Sequence, residues 1–445
     1  MDPPVDGRPR PAPRPSAAAV RPVGQRPRPD RRVGKKGARV RIIVQKFGGT
    51  SLATAAYRDL VAARVAAAMH RGLAPVVVVS AMGRVGDPYA TDTLLRLGRD
   101  VFPDTPARET DLLLACGEII SAVVMAGTLR SQGFPAIVLT GGQAGIITDR
   151  AFGNARILRV EPEHLRRHLD RGDLCVVAGF QGVAETGDIT TLGRGGSDTT
   201  AAALSVALRA ELLEIYTDVN GVKTADPRIV PEARTLPVVS YEEIFQMAHQ
   251  GAKVMHPRAV ELAMRANVPV RVRSTFDDPD KEAGTLITHG FEVAGQWDGL
   301  SRVVTGVTHL PDVVQFAVDG SAEQTDSVRL FRALADAGVS VDLINVSPDR
   351  RRFIVAADDA ARAQRAMESK GFTVGVRPEC AKVSVVGTGM RGIPGVMAAV
   401  VEALEQDGVQ ILQSADSHVT ISCLVSRPDM ERAVQALHRK FGLER

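Results

Sequence analysis

The sequence predicts an α/β protein in which a mostly parallel sheet lies between helix layers, followed by two small ferredoxin-like domains. Continuous apolar runs, typical of strands buried on both faces, alternate with helical stretches. These runs lie at 74–80, 136–139, 174–178, 213–216 and 268–272. A short strand at 41–45 comes first and leads into a glycine turn and a helix around 60–70. We place this domain at residues 40–295.

An internal repeat in the C-terminal third predicts the two smaller domains. A shift of 70 residues lays Phe331–Leu343 on Val401–Gln413, with Gly338 on Gly408. Each unit reads as strand, helix, strand, strand, helix, which is typical of a ferredoxin-like domain. We place the two copies at residues 300–377 and 378–445.

The first 39 residues differ in composition from the rest of the chain. Residues 1–40 hold nine Arg and two Lys against three Asp, a local charge of +8, so the rest of the chain carries −4 of the total of +4. They also hold nine of the 26 prolines. Such a segment is expected to be a disordered basic tail, because it cannot bury enough apolar surface to offset its ordering entropy. The predicted folded part has no net positive charge that would attract nucleic acid. A basic tail alone is not sufficient evidence for a nucleic-acid partner, so none is expected.

Cysteine usage and hydropathy favour a soluble cytoplasmic protein with no membrane partner. The four cysteines, Cys116, Cys175, Cys380 and Cys423, lie far apart without a C-x-x-C pair, so a disulfide framework or a zinc site is not expected. The N-terminus lacks the apolar stretch of a signal peptide, and no uninterrupted apolar run approaches ~18 residues.

Two glycine-rich turns each follow a predicted strand. The first is Lys46-Phe47-Gly48-Gly49-Thr50-Ser51, and the second is Gly193–Thr200 (GRGGSDTT) before an alanine-rich helix. Glycines let backbone N–H groups approach an anion, and the N-terminus of the next helix favours negative charge. An ordinary strand–turn–helix corner is the alternative for the first turn. In the second, Ser197 and Asp198 can cap the helix, but capping does not explain Arg194, which is suited to binding a carboxylate.

Three further features are less distinctive taken one at a time. Cys116-Gly117-Glu118 enters a helical stretch, where Glu118 could also be a solvated first-turn residue. The segment 217–227 follows a buried strand, at the end where α/β sheets bind ligands, although its acidic residues also suit turns. Lys253 is an isolated cation whose default place is the solvated surface.

Lysine, arginine and glycine-rich turns are the conspicuous chemical groups of the chain. The sequence shows no Ser–His–Asp set, no paired catalytic carboxylates and no H-x-x-x-H metal pair. Phosphoryl transfer needs charge neutralisation and positioning, with little covalent participation by the protein. If the acceptor is a carboxylate, with an unperturbed pKa near ~4, it is already ionised and needs no general base. The absence of a catalytic histidine is then expected.

Six motifs, in this order and spacing, resemble those of the aspartokinases within the amino-acid kinase superfamily. They are KFGGTS, SAMG (Ser80–Gly83), CGE, GRGGSDTTAAAL, TDVNGV and KTADPR. The resemblance covers residues 41–445, and the repeat looks like the paired ACT domains that make such enzymes feedback-regulated. The stretch GRVGDPYATDTLL and the loop LQSADSH (Leu412–His418) are most similar to the diaminopimelate-sensitive aspartokinase I of spore-forming bacteria.

The resemblance implies an amino-acid kinase fold followed by two ACT domains. It also implies that the chain transfers the γ-phosphate of ATP to the β-carboxylate of L-aspartate, giving 4-phospho-L-aspartate. This reaction is the first step towards lysine and diaminopimelate, threonine and methionine. Magnesium would arrive with ATP, bound largely through phosphates and water, so no metal site built by the protein is expected.

The resemblance also implies roles for single residues. The catalytic residues would be Lys46, Asp198, Arg194 and Glu118, with Asp198 orienting Lys46 and Glu118 facing the α-ammonium of aspartate. Aspartate would be held by Ser51, Thr91, Glu118, Arg194 and Ser197. The nucleotide would be contacted by Lys46, Phe47, Gly48, Gly49, Tyr216, Thr217, Asp218, Val222, Lys223, Thr224, Ala225, Asp226, Pro227 and Lys253.

Regulation is expected in the C-terminal repeat. Similar enzymes bind an amino-acid end product between paired ACT domains, usually across a subunit interface, so a homo-oligomer through these domains is expected. Candidate effectors are meso-diaminopimelate, lysine and threonine. The candidate residues follow the second strand of each repeat: Asp342, Asn345, Gln413, Asp416 and His418.

Two other functions fit parts of the pattern. One is another amino-acid kinase, acting on glutamate, acetylglutamate, carbamate or a nucleotide, but the duplicated C-terminal module, Arg194 and the CGE motif argue against it. The other is a catalytically inactive amino-acid sensor on a kinase scaffold. Loss of Lys46, Arg194 or Asp198 would have indicated such a sensor, and all three are present.

Overall fold

The fold is described by a computed structural model that covers residues 40–252, 255–278, 283–289, 303–320, 326–388, 390 and 393–445. The predicted tail and Lys253 lie outside the described residues. The N-terminal strands are β1 (Ile42–Phe47), β2 (Ala74–Val79), β3 (Ala136–Leu139), β4 (Ile146–Thr148), β5 (Ile157–Val160), β6 (Leu174–Ala178), β7 (Gln181–Ala184), β8 (Ile189–Thr191), β9 (Leu212–Thr217), β10 (Val238–Ser240), β11 (Val270–Ser274) and β12 (Thr285–Thr288). The helices of this part are α1 (Gly49–Leu52), α2 (Ala55–His70), α3 (Thr91–Val101), α4 (Ala107–Ser131), α5 (Glu163–Asp170), α6 (Gly196–Leu208), α7 (Tyr241–His249) and α8 (Pro257–Arg265).

An eight-stranded sheet in the order β10-β12-β11-β9-β1-β2-β6-β3 lies at the centre of the N-terminal domain. Its strands from β11 to β3 are all parallel, and only β12 runs antiparallel to a neighbour, β11. Helices cover both faces, so successive side chains of one strand enter different cores. In β2, Val76 and Val78 pack on the side of α5 to α8, whereas Val77 and Val79 pack against α2 and α4. The prediction of a buried parallel sheet is confirmed.

A second sheet of four short strands, in the order β5-β4-β7-β8, was not predicted. Each of these strands has only three or four residues, too few to give a clear alternation of polar and apolar side chains. Only β8 was anticipated, as the short strand before the second glycine turn. Its strand β8 pairs with β7 and leads directly into that turn.

The elements of the described C-terminal part are β13 (Gly306–Asp319), α9 (Ser327–Asp336), β14 (Asp342–Ser347), β15 (Arg350–Ala356), α10 (Ala357–Glu368), β16 (Gly375–Val386), α11 (Val396–Gln406), β17 (Gln413–Asp416), β18 (Thr420–Ser426) and α12 (Met430–Lys440). The six strands form a single sheet in the order β14-β15-β13-β16-β18-β17. The predicted order of strand, helix, strand, strand, helix occurs twice. The duplicated ferredoxin-like architecture is therefore confirmed.

The two modules share their central strands. The back half of β13, Val313–Asp319, pairs with β15, whereas its front half, Gly306–Leu310, pairs with the end of β16. The preceding Val303 and Val304, together with Val307, pack into the core of α11 and α12. The second module thus takes its fourth strand from the front half of the first strand of the first module. The predicted boundary between residues 377 and 378 falls inside β16. Each module has its own hydrophobic core, but the two modules share strands of one sheet.

Fragments of the C-terminal part are expected to fold differently. Residues 378–445 alone lack the front half of β13, so β16 would lose the partner of Lys382–Val386 and the core would lose Val307. Residues 303–445 keep both. We expect a cooperative thermal transition by circular dichroism for 303–445 and none for 378–445. An equally cooperative transition in the shorter fragment would show that the borrowed strand is dispensable.

Candidate active site

Lys46 is the last but one residue of β1, within the strand and not after it as predicted. Its Nζ lies 2.7 Å from Asp198 Oδ1, and the two side chains are only 13% and 12% exposed. β1 is flanked by β9 and β2, so backbone hydrogen bonds on both edges hold the lysine. Asp198 is in the first turn of α6. The ammonium is therefore fixed between the end of a central strand and the start of a helix.

The glycine turn after β1 has no room for a side chain at Gly49. A Cβ on Gly49 would lie 2.3 Å from Ala81 O, so only glycine allows this approach to the loop after β2. The Gly83 amide donates to Gly49 O at 3.0 Å, which holds the two loops together. Both loops lie at the carboxyl end of the parallel strands, where α/β sheets bind their ligands. The turn thus presents backbone close to Lys46.

The second glycine turn begins α6. Gly195 is the residue before the helix, with φ of 68°, and Ser197 and Asp198 lie inside the first turn, so the predicted side-chain capping by these two residues is wrong. A Cβ on Gly195 would lie 2.3 Å from His256 Cγ, and His256 is the N-cap of α8. Burial lowers the pKa of His256, and the nearby Asp198 partly opposes that shift. His256 therefore supports the turn as a neutral ring, a role for which the sequence alone carries no signal.

Glu118 lies in the middle of α4 and is 2% exposed, so its interpretation as a solvated first-turn residue is wrong. The helix begins at Ala107, eleven residues earlier. Glu118 Oε1 accepts a hydrogen bond from the Ala81 amide at 3.0 Å, and Oε2 is buried without a partner. Burial raises the pKa of Glu118 to about 8, against the opposing effect of the Ala81 amide. A buried acceptor oxygen without a donor marks a place for a ligand donor.

One cavity of about 760 Å³ joins these groups. Of the predicted site residues, it is lined by Lys46, Thr91, Glu118, Arg194, Ser197 and Asp198. Arg194 is exposed within it, and the structure gives it no hydrogen bond or ion pair among the described residues. The cavity therefore combines a paired lysine, an unpaired arginine and a half-satisfied carboxylate. Arg99 and the carboxylates of Asp92 and Asp111 also line the cavity, so charges of both signs face it.

Several predicted site residues have side chains that point elsewhere. Phe47 and Tyr216 are buried and stack with ring centroids 4.6 Å apart. Tyr216 also donates from its hydroxyl to Glu214 Oε2 at 3.0 Å. Ser51 is fully buried and hydrogen-bonds Thr275 at 2.7 Å between their hydroxyl oxygens. The side chains of Phe47 and Tyr216 are therefore part of the core, and the predicted nucleotide contacts of these two residues stay a prediction.

The loop after β2 supplies an arginine that sequence reasoning did not select. Arg84 Nη2 donates to Asp218 Oδ2 at 2.8 Å, and its Nε donates to Thr50 Oγ1 at 3.2 Å. The guanidinium thus spans the ends of three neighbouring strands, β2, β1 and β9. Its sequence signals were its place directly after SAMG and within the stretch GRVGDPYATDTLL. Thr217 also contacts Asp218, through a 3.1 Å bond from its hydroxyl to Oδ1.

The predicted nucleotide segment 222–227 is largely buried against the C-terminal modules. Val222, Thr224 and Ala225 are at most 4% exposed. Thr224 Oγ1 hydrogen-bonds His438 Nε2 at 3.0 Å, and Thr224 O accepts from the Val307 amide at 2.8 Å. The remaining residues lie nearer the surface: Lys223 donates to Thr235 Oγ1, Asp226 pairs with Arg228, and Pro227 is exposed. The hydrogen bond from Arg228 lowers the pKa of Asp226.

A second cavity, of about 410 Å³, lies at one side of the C-terminal sheet. It brings together two of the predicted regulatory residues, Asn345 and Gln413, beside Arg350 and Arg352. Asp342 instead forms an ion pair with the buried Lys382. Asp416 ends β17, and His418 follows it, and neither lines this cavity. The predicted regulatory set is therefore only partly brought together.

Helix α4 is long and apolar enough to cross a membrane by length and composition alone, and half of its apolar window is buried in the fold. It also carries the buried carboxylates of Asp111 and Glu118, both on the cavity. Buried acids that face a polar cavity identify α4 as a core helix of this domain. Among the described residues, no group of three His, Cys, Asp or Glu side chains could hold a metal ion.

The parallel sheet carries glycine turns, a fixed lysine and a helix N-terminus at one edge, and a duplicated C-terminal module follows it. This combination is typical of a regulated phosphoryl-transfer enzyme. Comparison with known families agrees: the amino acid kinase family matches residues 41–274, and the ACT domain matches residues 375–439.

Comparison with single proteins gives the family. Aspartokinase 1 of Bacillus subtilis is 49% identical over 412 residues, which cover 91% of this chain and all of that protein. The structure of Escherichia coli aspartokinase III in complex with aspartate and ADP superimposes with a TM-score of 0.72 at 25% identity, covering 90% of this chain and 99% of that one. The same enzyme in complex with lysine and aspartate gives 0.68 at 26% identity, with the same coverage. The chain belongs to the aspartokinase family of phosphotransferases.

The raised pKa of Glu118 predicts how stability depends on pH. Between pH 4.5 and about 8 the folded chain keeps a proton on Glu118 that the unfolded chain has lost. The contribution of Glu118 to the free energy of unfolding is therefore fully present below pH 4.5 and falls as pH rises towards 8, by at most roughly 1.4 kcal/mol per pH unit. Glu118→Gln removes this titration.

The difference in thermal unfolding midpoint, wild type minus Glu118→Gln, is thus expected to decrease from pH 5 to pH 9. The exposed Glu163→Gln on α5 serves as the control, for which no such trend is expected. A pH-independent difference for Glu118→Gln would show that the carboxyl group ionises normally in the fold.

Proposed function

We propose that the chain uses ATP to phosphorylate the β-carboxylate of L-aspartate, giving 4-phospho-L-aspartate. The observation that carries this proposal is that two charged groups of the cavity lack a hydrogen-bond partner among the described residues. Glu118 offers a buried oxygen without a donor, and Arg194 offers a guanidinium without an acceptor among the described residues. An amino acid with an additional carboxylate supplies both missing partners, since its ammonium can donate to Glu118 and a carboxylate can bind Arg194 in bidentate fashion.

The nucleotide would lie on the other side of Lys46. The amides of Gly48 and Gly49 and the N-terminus of α6 would face its phosphates, because both are positive ends of backbone dipoles. Thr217, Asp218 and the backbone of segment 222–227 would contact the remainder of the nucleotide. Magnesium would be carried by the nucleotide, largely through phosphates and water.

Lys46 would act on the group in transfer. Its ammonium, held by Asp198 at 2.7 Å, would neutralise the charge that builds on the phosphoryl oxygens. The acceptor carboxylate is ionised at neutral pH, so it can attack phosphorus without a base to remove a proton. The protein's contribution is therefore charge and position. The inactive-sensor alternative loses its support, because Lys46, Arg194 and Asp198 all line the cavity.

Regulation by an amino-acid end product would occur in the C-terminal modules. The cavity beside Asn345 and Gln413 is a candidate for part of that site, and Arg350 and Arg352 would suit an effector carboxylate. The related Escherichia coli aspartokinase III has been solved in complex with lysine as well as aspartate, which supports an amino-acid effector here. We propose lysine, threonine or meso-diaminopimelate, bound in a soluble cytoplasmic homo-oligomer joined through the ACT domains. Titrating aspartate kinase activity with each of these, singly and in pairs, would identify the effector.

The function is tested by trapping the product. Purified protein with MgATP and aspartate should give a hydroxamate with hydroxylamine, because an acyl phosphate reacts readily with this nucleophile. Glutamate, acetylglutamate, carbamate and UMP serve as alternative acceptors in a parallel assay of ADP release. ADP release with glutamate and none with aspartate would assign the chain to another amino-acid kinase.

Two variants should separate transition-state charge from substrate binding. Lys46→Ala is expected to lower kcat by about 100- to 1000-fold with a smaller change in the aspartate KM, because its charge matters most as the phosphoryl group transfers. Arg194→Ala is expected chiefly to raise the aspartate KM, by about 10- to 100-fold, through loss of a charged hydrogen-bonding pair. Steady-state kinetics with Arg167→Ala, an exposed arginine on α5, as the control would measure both. An unchanged KM in Arg194→Ala would exclude its proposed contact.

A further inference from the structure

Asp111 is a completely buried carboxylate near the start of α4, and its hydrogen bonds go to loops around the cavity. Its oxygens accept hydrogen bonds from the Gly153 amide at 2.9 and 3.0 Å, and from the Thr191 amide and the Thr191 hydroxyl at 2.7 Å each. No lysine or arginine pairs with it among the described residues. A buried carboxylate needs such donors, and charge-assisted bonds of this kind are stronger than neutral ones. Asp111 therefore ties α4 firmly to two loops.

These two loops support the turn that carries Arg194. Thr191 ends β8 and leads directly into that turn. Its backbone is held on both sides, since its amide donates to Asp111 and its carbonyl accepts from the Ala155 amide at 2.9 Å. Gly153 lies under the turn, with its carbonyl oxygen 3.3 Å from where a Cβ on Gly193 would be. Asp111 thus holds both the residue that leads into this turn and the loop that lies under it.

The same helix carries Glu118. The two carboxylates are seven residues apart, which is two helical turns, so they share one face of α4 about 10 Å apart along its axis. Between them, the Ala115 carbonyl accepts a 2.9 Å hydrogen bond from the buried Gln181. One helix therefore holds the carboxylate proposed for the ammonium of aspartate and the carboxylate that fixes the loop of Arg194.

We propose that Asp111 is a positioning residue that sets the separation between Glu118 and Arg194, and so determines how tightly the two ends of aspartate are held. This inference rests on the proposed function. Asp111 acts through Arg194. Nucleotide binding should depend on it much less, because Lys46 and Gly49 belong to β1 and its turn, and α6 is held separately by its packing against β1 and α8.

Four variants test this inference. Asp111→Asn replaces one acceptor oxygen by a donor that faces amide groups. Thr191→Val removes only the hydroxyl bond to Asp111, and Thr191→Ser restores it. Glu109→Gln removes an exposed carboxylate from the first turn of the same helix and is the matched control. The readouts are the aspartate KM and kcat, the Kd values of aspartate and of ADP by calorimetry, and the thermal unfolding midpoint.

We expect Asp111→Asn to weaken aspartate binding by about 10- to 100-fold, and Thr191→Val by about 10-fold, with ADP binding changed by less than about twofold. Thr191→Ser and Glu109→Gln should bind aspartate as the wild type does. If Asp111→Asn does not fold, the Thr191 pair decides alone.

Two results would overturn the inference while leaving the proposed function intact. One is normal aspartate binding in both Thr191→Val and any soluble Asp111→Asn. The other is equal loss of aspartate and ADP binding, which indicates a general structural role. A wild-type protein that neither binds nor phosphorylates aspartate contradicts the proposed function itself, and this inference with it.

Discussion

The arrangement of the active site depends on the ion pair between Lys46 and Asp198. The lysine is on a central strand and the aspartate is in the first turn of α6, so the pair joins the sheet to the helix that packs on it. Such a pair adds little net stability, because removing two charges from water offsets most of their attraction. Its value is geometric. A lysine on the surface would sample many rotamers, whereas this ammonium already faces the cavity before any ligand binds.

Three other charged groups of the cavity differ in how many of their hydrogen bonds are made within the protein. Asp111 has all its donors, Glu118 has one of two oxygens satisfied, and Arg194 is the most open. Unsatisfied buried groups are costly, and native proteins keep them mainly where function requires them. Of these three groups, Glu118 and Arg194 are proposed to touch aspartate, and the fully satisfied Asp111 lies behind them. Burying the unpaired Oε2 of Glu118 costs folding free energy, and a ligand that donates a hydrogen bond to this oxygen would offset that cost.

The sheet, the repeat and the two glycine turns with Lys46 and Arg194 were predicted because each leaves a local signal: apolar runs, a fixed offset, or glycines around a charge. Thr91 and the site roles of the other cavity residues came from the resemblance to aspartokinases. The sequence did not predict Asp111, whose partners Gly153 and Thr191 are 42 and 80 residues away in the chain. The start of α4 was missed because no side chain caps it. Phe47 is a different case, since side chains alternate along a strand. With Lys46 towards α6, Phe47 had to face the core of α2 and α4.

Strand β13 shows how the C-terminal modules are connected to the catalytic domain. Near one end, Gln315 donates to Gln413 Oε1 at 2.8 Å, beside the second cavity. Near the other end, the Val307 amide donates to Thr224 O at 2.8 Å, in the proposed nucleotide segment. The eight residue steps from Val307 to Gln315 span roughly 27 Å of extended chain. Ala225 and Val230 lie in the same core as α11 and α12, and close-packed cores move as units more readily than they deform. If β13 moves at the second cavity, two outcomes are therefore open. Either the irregular pairing of β13 with β16 between Leu310 and Gln315 deforms, or Val307 and its partner Thr224 move as well.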